Sequence, residues 1–349
     1  MSAGCAVLVM VANGVDGHAG DVVHLNNPQL ETVKPGYPGN PFQEGAFAGE
    51  YTSEGASSTV KFVKWKLTAN PKKAIKDAEN FTMKVVKHDR LPQMDQPYLM
   101  WLGHATVLLN IHGKTVLIDP VLTSPRMMHS ERLSEVPVDL TEVGIDYLLA
   151  SHGHRDHLDE ESVRSLQGAP IQAYLPLNMG GLVEDWNTNL EIQEAGWYQK
   201  YQTSGPIELY FLPAYHWHRR SMFDLNTVLW GSYLIKYDGV TIYFAGDSGY
   251  GAHFKEIGEL FGGIDYAVLP IGAYDPAFMM GNNLMTPEQA VQAFKDLNAK
   301  VMIPVHYGTF DQTDEPLSEP LQRLRRQIKN GIVGKEAVKI LKIGEILPL

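Results

Sequence analysis

The chain of 349 residues carries 29 Lys and Arg against 40 Asp and Glu, a net charge of −11, and is 44% hydrophobic and 20% charged. These proportions exclude a disordered, collagen-like or multi-span membrane chain and leave enough apolar surface for a large core. A single Cys against 13 His excludes an intramolecular disulfide and any zinc finger or iron–sulfur cluster built on thiolates, so a metal would be held by His and carboxylate. The acidic balance also speaks against general nucleic-acid binding, which draws its affinity from Lys and Arg.

Residues 1–20 hold a short apolar run at 5–12, which includes the lone Cys5, followed by polar sequence with Ala19 at a suitable cleavage position. The run is too short to span a bilayer and lacks a basic region before it. It reads as a leader, either the remnant of a secretory signal with a misplaced start or a disordered tail. A signal remnant would place the protein in a bacterial periplasm or cell envelope, and a tail would leave it cytoplasmic. Residues 21–95 are rich in Pro, Gly, Asn and Ser, as in Lys34-Pro35-Gly36-Tyr37-Pro38-Gly39, a composition that marks turns rather than helices or strands. They read as an extended arm that wraps a domain, anchored by Tyr37, Phe42, Phe47, Tyr51, Phe62 and Trp65.

Residues 96–349 form the main domain. Apolar and β-branched runs predict strands over 98–102, 106–111, 115–119, 145–150, 207–212, 232–237, 240–244, 267–271 and 301–305, with His112-Gly113-Lys114 as a hairpin turn. Asp159 caps a predicted helix through Leu166. Thr286-Pro287-Glu288-Gln289 is a capping-box pattern that opens a second helix, and Leu321, Leu324 and Ile328 form the stripe of a third, with Arg323, Arg325 and Arg326 read as its solvated face. Hairpins mixed with strand–helix alternation predict an α/β (α+β) fold, with sheet packed on sheet and helices outside, rather than a purely parallel sheet. The strands ending at Asp119 and Asp247 hint at an internal duplication.

The most informative stretch is His152-Gly153-His154-Arg155-Asp156-His157, four potential ligands within six residues just after a strand. Neutral imidazole and carboxylate suit zinc and similar divalent metals when thiolates are absent. Alternate positions of an extended segment project to one side, so His152 and His154 can grip one ion while Asp156 and His157 turn to another. His216, Asp247 and His306 each follow a predicted strand and complete two sets: His152, His154 and His216, then Asp156, His157 and His306, with Asp247 as a bridge. Two ions about 4 Å apart lower the pKa of a shared water and clamp both the attacking and the leaving oxygen, which is hydrolytic chemistry.

The His-x-His-x-Asp-His pattern with His, Asp and His at later strand ends resembles the metallo-β-lactamase superfamily, whose four-layer αββα sandwich holds its metals at one edge. Trp101-Leu102-Gly103-His104-Ala105-Thr106, Phe244-Ala245-Gly246-Asp247-Ser248-Gly249-Tyr250 and His306-Tyr307-Gly308-Thr309-Phe310 are similar to the N-acylphosphatidylethanolamine-hydrolysing phospholipase D family and its bacterial relatives. The resemblance implies two zinc ions, with manganese or iron as alternatives, on the seven residues above. Asp156 and Asp247 would be the acidic groups of the catalytic centre, and a metal-bound hydroxide would attack phosphorus in a phosphodiester. It implies a phospholipid or other small phosphodiester substrate and peripheral membrane contact, with no nucleic-acid partner. A lactonase or other small-ester hydrolase on the same metals is the alternative, a nuclease is disfavoured by the acidic charge, and a non-catalytic metal-binding module is the reading from another class. His104 and Asp119 read as groups that orient the ligands. His218 and Tyr274 are candidates for the substrate pocket, with Trp186, Trp197, Tyr198, Tyr201 and the apolar loop 275–280 as further wall.

Overall fold

Along the strand Tyr98–Gly103, Leu99 and Trp101 join one apolar cluster while Tyr98, Met100 and Leu102 join another. Side chains alternate across a strand, so this one is buried on both faces and belongs to an inner layer with apolar material on either side. The computed structural model, which describes residues 21–53, 58–125, 130–168, 170–205 and 207–349, shows what those layers are. The leader at 1–20, with Cys5, lies outside the described residues.

The arm carries β1 (Val23–Leu25), β2 (Glu31–Thr32), β3 (Asn40–Gln43), β4 (Ala46–Phe47), α1 (Thr59–Leu67) and α2 (Lys73–Ala78). Then follow β5 (Tyr98–Gly103), β6 (Thr106–Ile111), β7 (Lys114–Ile118), β8 (Tyr147–Leu149), α3 (Glu160–Ser165), β9 (Ile171–Pro176), α4 (Gly180–Val183) and β10 (Leu190–Ala195). The rest comprises β11 (Gln199–Lys200), β12 (Glu208–Leu212), β13 (Ser232–Tyr237), β14 (Val240–Phe244), α5 (His253–Phe261), β15 (Tyr266–Pro270), α6 (Ala277–Met280), α7 (Pro287–Asp296), β16 (Val301–Val305), α8 (Glu319–Lys329) and β17 (Ile346–Pro348). Two seven-stranded sheets result, in the orders β10-β9-β8-β7-β6-β5-β17 and β16-β15-β14-β13-β12-β11-β2, with β1, β3 and β4 in a small third sheet. Val163, Leu166, Met179 and Val183 of the first half pack against Met100, Leu108 and Leu148. Phe254, Ile257, Val291 and Phe294 join the cluster of the second sheet. This is the expected sandwich, αββα in layers.

The hinted duplication is visible in strand pairing. β6–β7 is antiparallel and β7–β8 parallel, and in the other sheet β13–β14 is antiparallel and β14–β15 parallel. Asp119 and Asp247 thus follow equivalent strands. The caps form as their sequences dictate: Asp159 accepts from the Ser162 amide at 2.9 Å, and Thr286 and Gln289 make a reciprocal capping box.

Residues 59–78 depart from the turn-rich reading of the arm. Ser58 caps α1 by accepting from the Lys61 amide at 3.4 Å, and neither α1 nor α2 buries a residue fully, so the inward stripe that would announce them in sequence is weak. Polar bonds hold this part of the arm: Trp65 Nε1 donates to Asp314 at 2.9 Å, and Lys72 Nζ meets Asp275 at 2.6 Å and Glu319 at 2.8 Å. Arg323 also departs from the expected solvated face. It turns inward, pairing with Glu288 at 2.6 Å, while Arg325 and Arg326 are exposed as expected.

Candidate metal centre

Strand ends and the loops after them deliver every residue of the site to one rim of the sandwich. Asp119 follows β7, the 152–157 motif follows β8, His216 follows β12, Asp247 follows β14 and His306 follows β16. His104 occupies the turn between β5 and β6, with left-handed backbone (φ 50°), as have Asp119 (φ 47°) and His306 (φ 62°). Non-glycine residues adopt that conformation at a cost, and here hydrogen bonds hold it: the His306 amide donates to the His104 carbonyl at 2.9 Å, and the Asp119 amide to that of Leu149 at 2.9 Å. Gly246 is required before Asp247, because it has φ +59° and a Cβ there would lie 2.6 Å from Ser151 Cβ. The arm reaches the site too, with the His216 amide donating to Tyr51 and the His216 carbonyl accepting from Ser53 at 2.8 Å.

The seven predicted ligands converge in two nests. In the first, His154 Nδ1 lies 2.9 Å from His152 Nε2 and 3.1 Å from His216 Nε2, with Asp247 Oδ2 at 4.0 and 3.8 Å from those two Nε2 atoms. In the second, Asp247 Oδ1 lies 3.2 Å from His157 Nε2 and 3.1 Å from His306 Nε2. Ligand atoms of Asp156, His157, His306 and His104 all fall within 4.8 Å of one another.

The far side of three of the five rings is anchored. His157 Nδ1 meets Asp119 at 2.7 Å, His152 Nδ1 meets Ser151 Oγ at 2.9 Å, and His216 Nδ1 meets the Asn283 carbonyl at 3.1 Å. Ser151 in turn donates to Asp119 through its hydroxyl at 2.7 Å and its amide at 2.6 Å. Such partners fix the ring so that the other nitrogen points into the nest. Asp156 Oδ2 accepts from Gln312 Nε2 at 2.8 Å and touches His104 Nε2 at 3.2 Å. His104 therefore orients Asp156 rather than Asp119.

The donors fit a divalent cation. His157 Nε2, His306 Nε2 and Asp247 Oδ1 are buried without a hydrogen-bond partner, which is costly unless something else satisfies them. Burial, reinforced by neighbouring imidazoles, holds His152 and His154 far below the ordinary His range, and burial pushes His216 down to about 4. These three rings are neutral at physiological pH, and one nitrogen of each lies within 4.8 Å of the others and of Asp247. Burial alone would raise the Asp247 carboxyl, but His157 and His306 beside it keep it well below the carboxylate range. Burial would lower His157 as well, but the Asp247 and Asp119 carboxylates beside it hold it well above the ordinary His range, so it keeps a proton that a bound cation would displace. Imidazoles gathered around a buried carboxylate form the nitrogen and oxygen set that zinc, manganese and iron accept.

A cavity of about 390 Å³ opens onto both nests. Met279 and Met280, read from the sequence as loop but forming the end of α6, line it, as do Trp65, Trp217, Arg155, Arg219 and Gln312. Other expected wall residues do not. Tyr274 is buried with its hydroxyl 3.0 Å from Glu319 and Arg323 over its ring, so it is no pocket acid. Trp197, Tyr198 and Tyr201 belong to the core, and Trp186 lies under Arg220. His218 is buried against the motif loop: a Cβ on Gly153 would come within 2.2 Å of its ring. Sequence reasoning missed Ser151, Asn283 and Gln312, of which only Ser151, beside the motif, had any signal, and it named Trp65 as an anchor of the arm without assigning it to the cavity.

Residues 114–307 match the family model described as the beta-lactamase superfamily domain. An uncharacterized protein of Mycobacterium tuberculosis is 37% identical over 64% of this chain, and the alignment spans only 62% of the length of that relative. An N-acyl-phosphatidylethanolamine-hydrolyzing phospholipase D of Caenorhabditis elegans is 32% identical over 65% of this chain and 68% of its own. Among solved structures, Igni18, a metallo hydrolase of Ignicoccus hospitalis, shares the fold with a TM-score of 0.53 at 22% identity, covering 73% of this chain and 98% of its own. With its sandwich, its rim of strand-end ligands and a matching domain over more than half its length, the chain belongs to the metallo-β-lactamase superfamily.

Proposed function

We propose that the protein is a dinuclear metal-dependent hydrolase of phosphodiesters resembling N-acylphosphatidylethanolamine. His152, His154 and His216 would hold one ion, Asp156, His157 and His306 a second, and Asp247 both. The observation that carries this reading is the Asp247 carboxylate, whose Oδ1 faces His157 and His306 while its Oδ2 faces His152 and His216. One carboxylate with each oxygen turned to a different histidine set is what a shared ligand requires. Bound divalent ions supply Lewis acidity, activating water at neutral pH and neutralising charge on a phosphoryl group. Zinc heads the candidates by donor type, ahead of manganese and iron.

The chain's own residues do the positioning. Asp119 and Ser151 hold His157 and His152, and Gln312 and His104 hold Asp156. Met279, Met280 and Trp65 give the cavity apolar wall suited to acyl chains. Next in sequence to Ser221, which lines the cavity, Met222 is 78% and Phe223 92% exposed. On α1, Val60 and Leu67 are exposed beside Lys61, Lys64 and Lys66, and Lys64 Nζ stands 5.0 Å over the ring of Phe278 on α6. Apolar side chains ringed by lysines favour an anionic lipid surface. Relatives from the nematode and from Saccharomyces cerevisiae whose names state this lipid activity, 32% and 34% identical, support the substrate class.

The test is Asp247→Asn, assayed beside wild type on a soluble phosphodiester, a lactone and an N-acylated phospholipid. Loss of turnover by about a thousandfold is expected from removing a group on which the whole centre depends. Unchanged turnover contradicts the metal-hydrolase reading, and wild-type turnover of the lactone alone removes the phosphodiester.

A further inference from the structure

Three arginines line the cavity beside the two nests, Arg155, Arg219 and Arg220. Arg220 is consumed by the protein: it is half-buried, its Nη1 donates to the carbonyls of Gly153 at 2.9 Å and Leu158 at 2.7 Å, and its guanidinium stacks 5.1 Å over Trp186. Arg219 donates to the carbonyls of Ser221 at 3.0 Å and Met222 at 3.4 Å. Arg155 is different. It stands between the ligands His154 and Asp156, is only partly buried, and makes one long hydrogen bond, from Nη2 to the Arg220 carbonyl at 3.4 Å. Among the described residues, it joins no ion pair.

Arg155 also lines a second cavity of about 130 Å³ with Asp159, Glu160 and Glu161, yet among the described residues it forms no ion pair with them, and the cavity over the nests has no spare anion for it. The carboxylates lining the cavity are Asp156 and Asp247, and both face the metal nests. A protein of net charge −11 therefore keeps an unpaired planar guanidinium at its reaction centre. Arginine presents paired N–H donors that match a carboxylate or a phosphate in a bidentate fork. The ions would neutralise the scissile phosphodiester itself, and this fork adds capacity for a further anionic group.

We infer that Arg155 is a specificity residue that binds a second anionic group of the substrate, a carboxylate or phosphate carried next to the scissile phosphodiester. The inference rests on the phosphodiesterase reading and narrows it: the favoured substrate has an acidic substituent on one of the two esterified alcohols. Arg155 touches no reacting atom in this role, and its contribution appears as a preference between substrates.

The experiment compares two water-soluble phosphodiesters, glycerophospho-N-acetylserine and glycerophospho-N-acetylethanolamine, which differ by one carboxylate and need no lipid surface. The metal-loaded full chain should turn over the serine compound with a kcat/KM about ten to a hundred times higher, the range for a charge-assisted contact. Arg155→Gln should bring the ratio to about one, chiefly through KM for the serine compound, and Arg155→Lys should restore part of it. Metal content of each variant is measured alongside, so that a damaged centre is told from a lost contact. Equal wild-type rates on the two compounds, or a ratio that survives Arg155→Gln with metal retained, overturns the inference and leaves the phosphodiesterase reading standing. If wild type hydrolyses neither compound, nor the bis(4-nitrophenyl) phosphate run beside them, the phosphodiesterase reading fails and this inference with it.

Discussion

Asp119 Oδ2 lies 2.7 Å from Nδ1 of His157, while Nε2 of the same ring lies 3.2 Å from Asp247. One imidazole thus links a carboxylate behind the site to one within it, and Asp119 also receives the amide and hydroxyl of Ser151. Asp119→Asn keeps the shape and removes the charge. Metal affinity should fall by about 10- to 100-fold with secondary structure unchanged, read by competition with a chelator. Undiminished affinity would show that Asp119 serves folding alone.

Gly153 and His218 are coupled through space, since a Cβ at Gly153 would lie 2.2 Å from His218 Cε1. Gly153→Ala should therefore displace the motif loop and lower activity by at least about tenfold, whereas Gly153→Ala combined with His218→Ala should recover much of that loss, as non-additivity between touching residues requires. Additive losses in this double-mutant cycle would mean that the ring is not what the glycine accommodates.

His253 gives the acid limb of stability a specific source. It is buried with Nε2 3.0 Å from Ser248 Oγ, and burial pushes it down to about 3. A group whose folded pKa is depressed leaves stability intact above its unfolded value of about 6.5 and removes it as pH falls from there toward the folded value. Between pH 6 and 4, denaturant midpoints of wild type should fall more steeply than those of His253→Gln, by about 1.4 kcal/mol per pH unit at most. Parallel pH profiles would assign the acid sensitivity elsewhere.

Lipid-surface contact is separable from chemistry. Met222→Asp with Phe223→Asp places two charges on the exposed loop beside the cavity and should weaken sedimentation with anionic vesicles by about tenfold or more, with turnover of a soluble phosphodiester nearly maintained. Equal sedimentation of wild type and variant would exclude this loop from the contact.

Much of the site was legible because its donors are short-range or punctuated. The motif packs four ligands into six residues, and His216, Asp247 and His306 each stand just past an apolar run that reads as a strand. Their sorting into two sets followed from the motif and the strand ends, but only the third dimension shows Asp247 Oδ1 turned to His157 and His306 and Oδ2 to His152 and His216. Tyr274 illustrates the limit: its place after β15 suggested the pocket, but Glu319 and Arg323, 45 and 49 positions away in sequence, hold the ring elsewhere. Gln312 and Asn283 were invisible because loop conformation alone brings them to Asp156 and His216. In the fold, β5 to β8 and β12 to β16 announced themselves by continuous apolar runs, while α1 and α2 bury no residue fully and gave little periodic signal.

Counting the ions bound per chain tests the central claim most directly. After loading with zinc and removal of free metal, elemental analysis of wild type and of Asp247→Asn should give about two ions per chain for wild type and fewer for the variant, because the amide is uncharged and offers one oxygen where the carboxylate offered one to each nest. One ion or none in wild type under saturating zinc, or an undiminished two in the variant, would contradict a dinuclear centre built around Asp247.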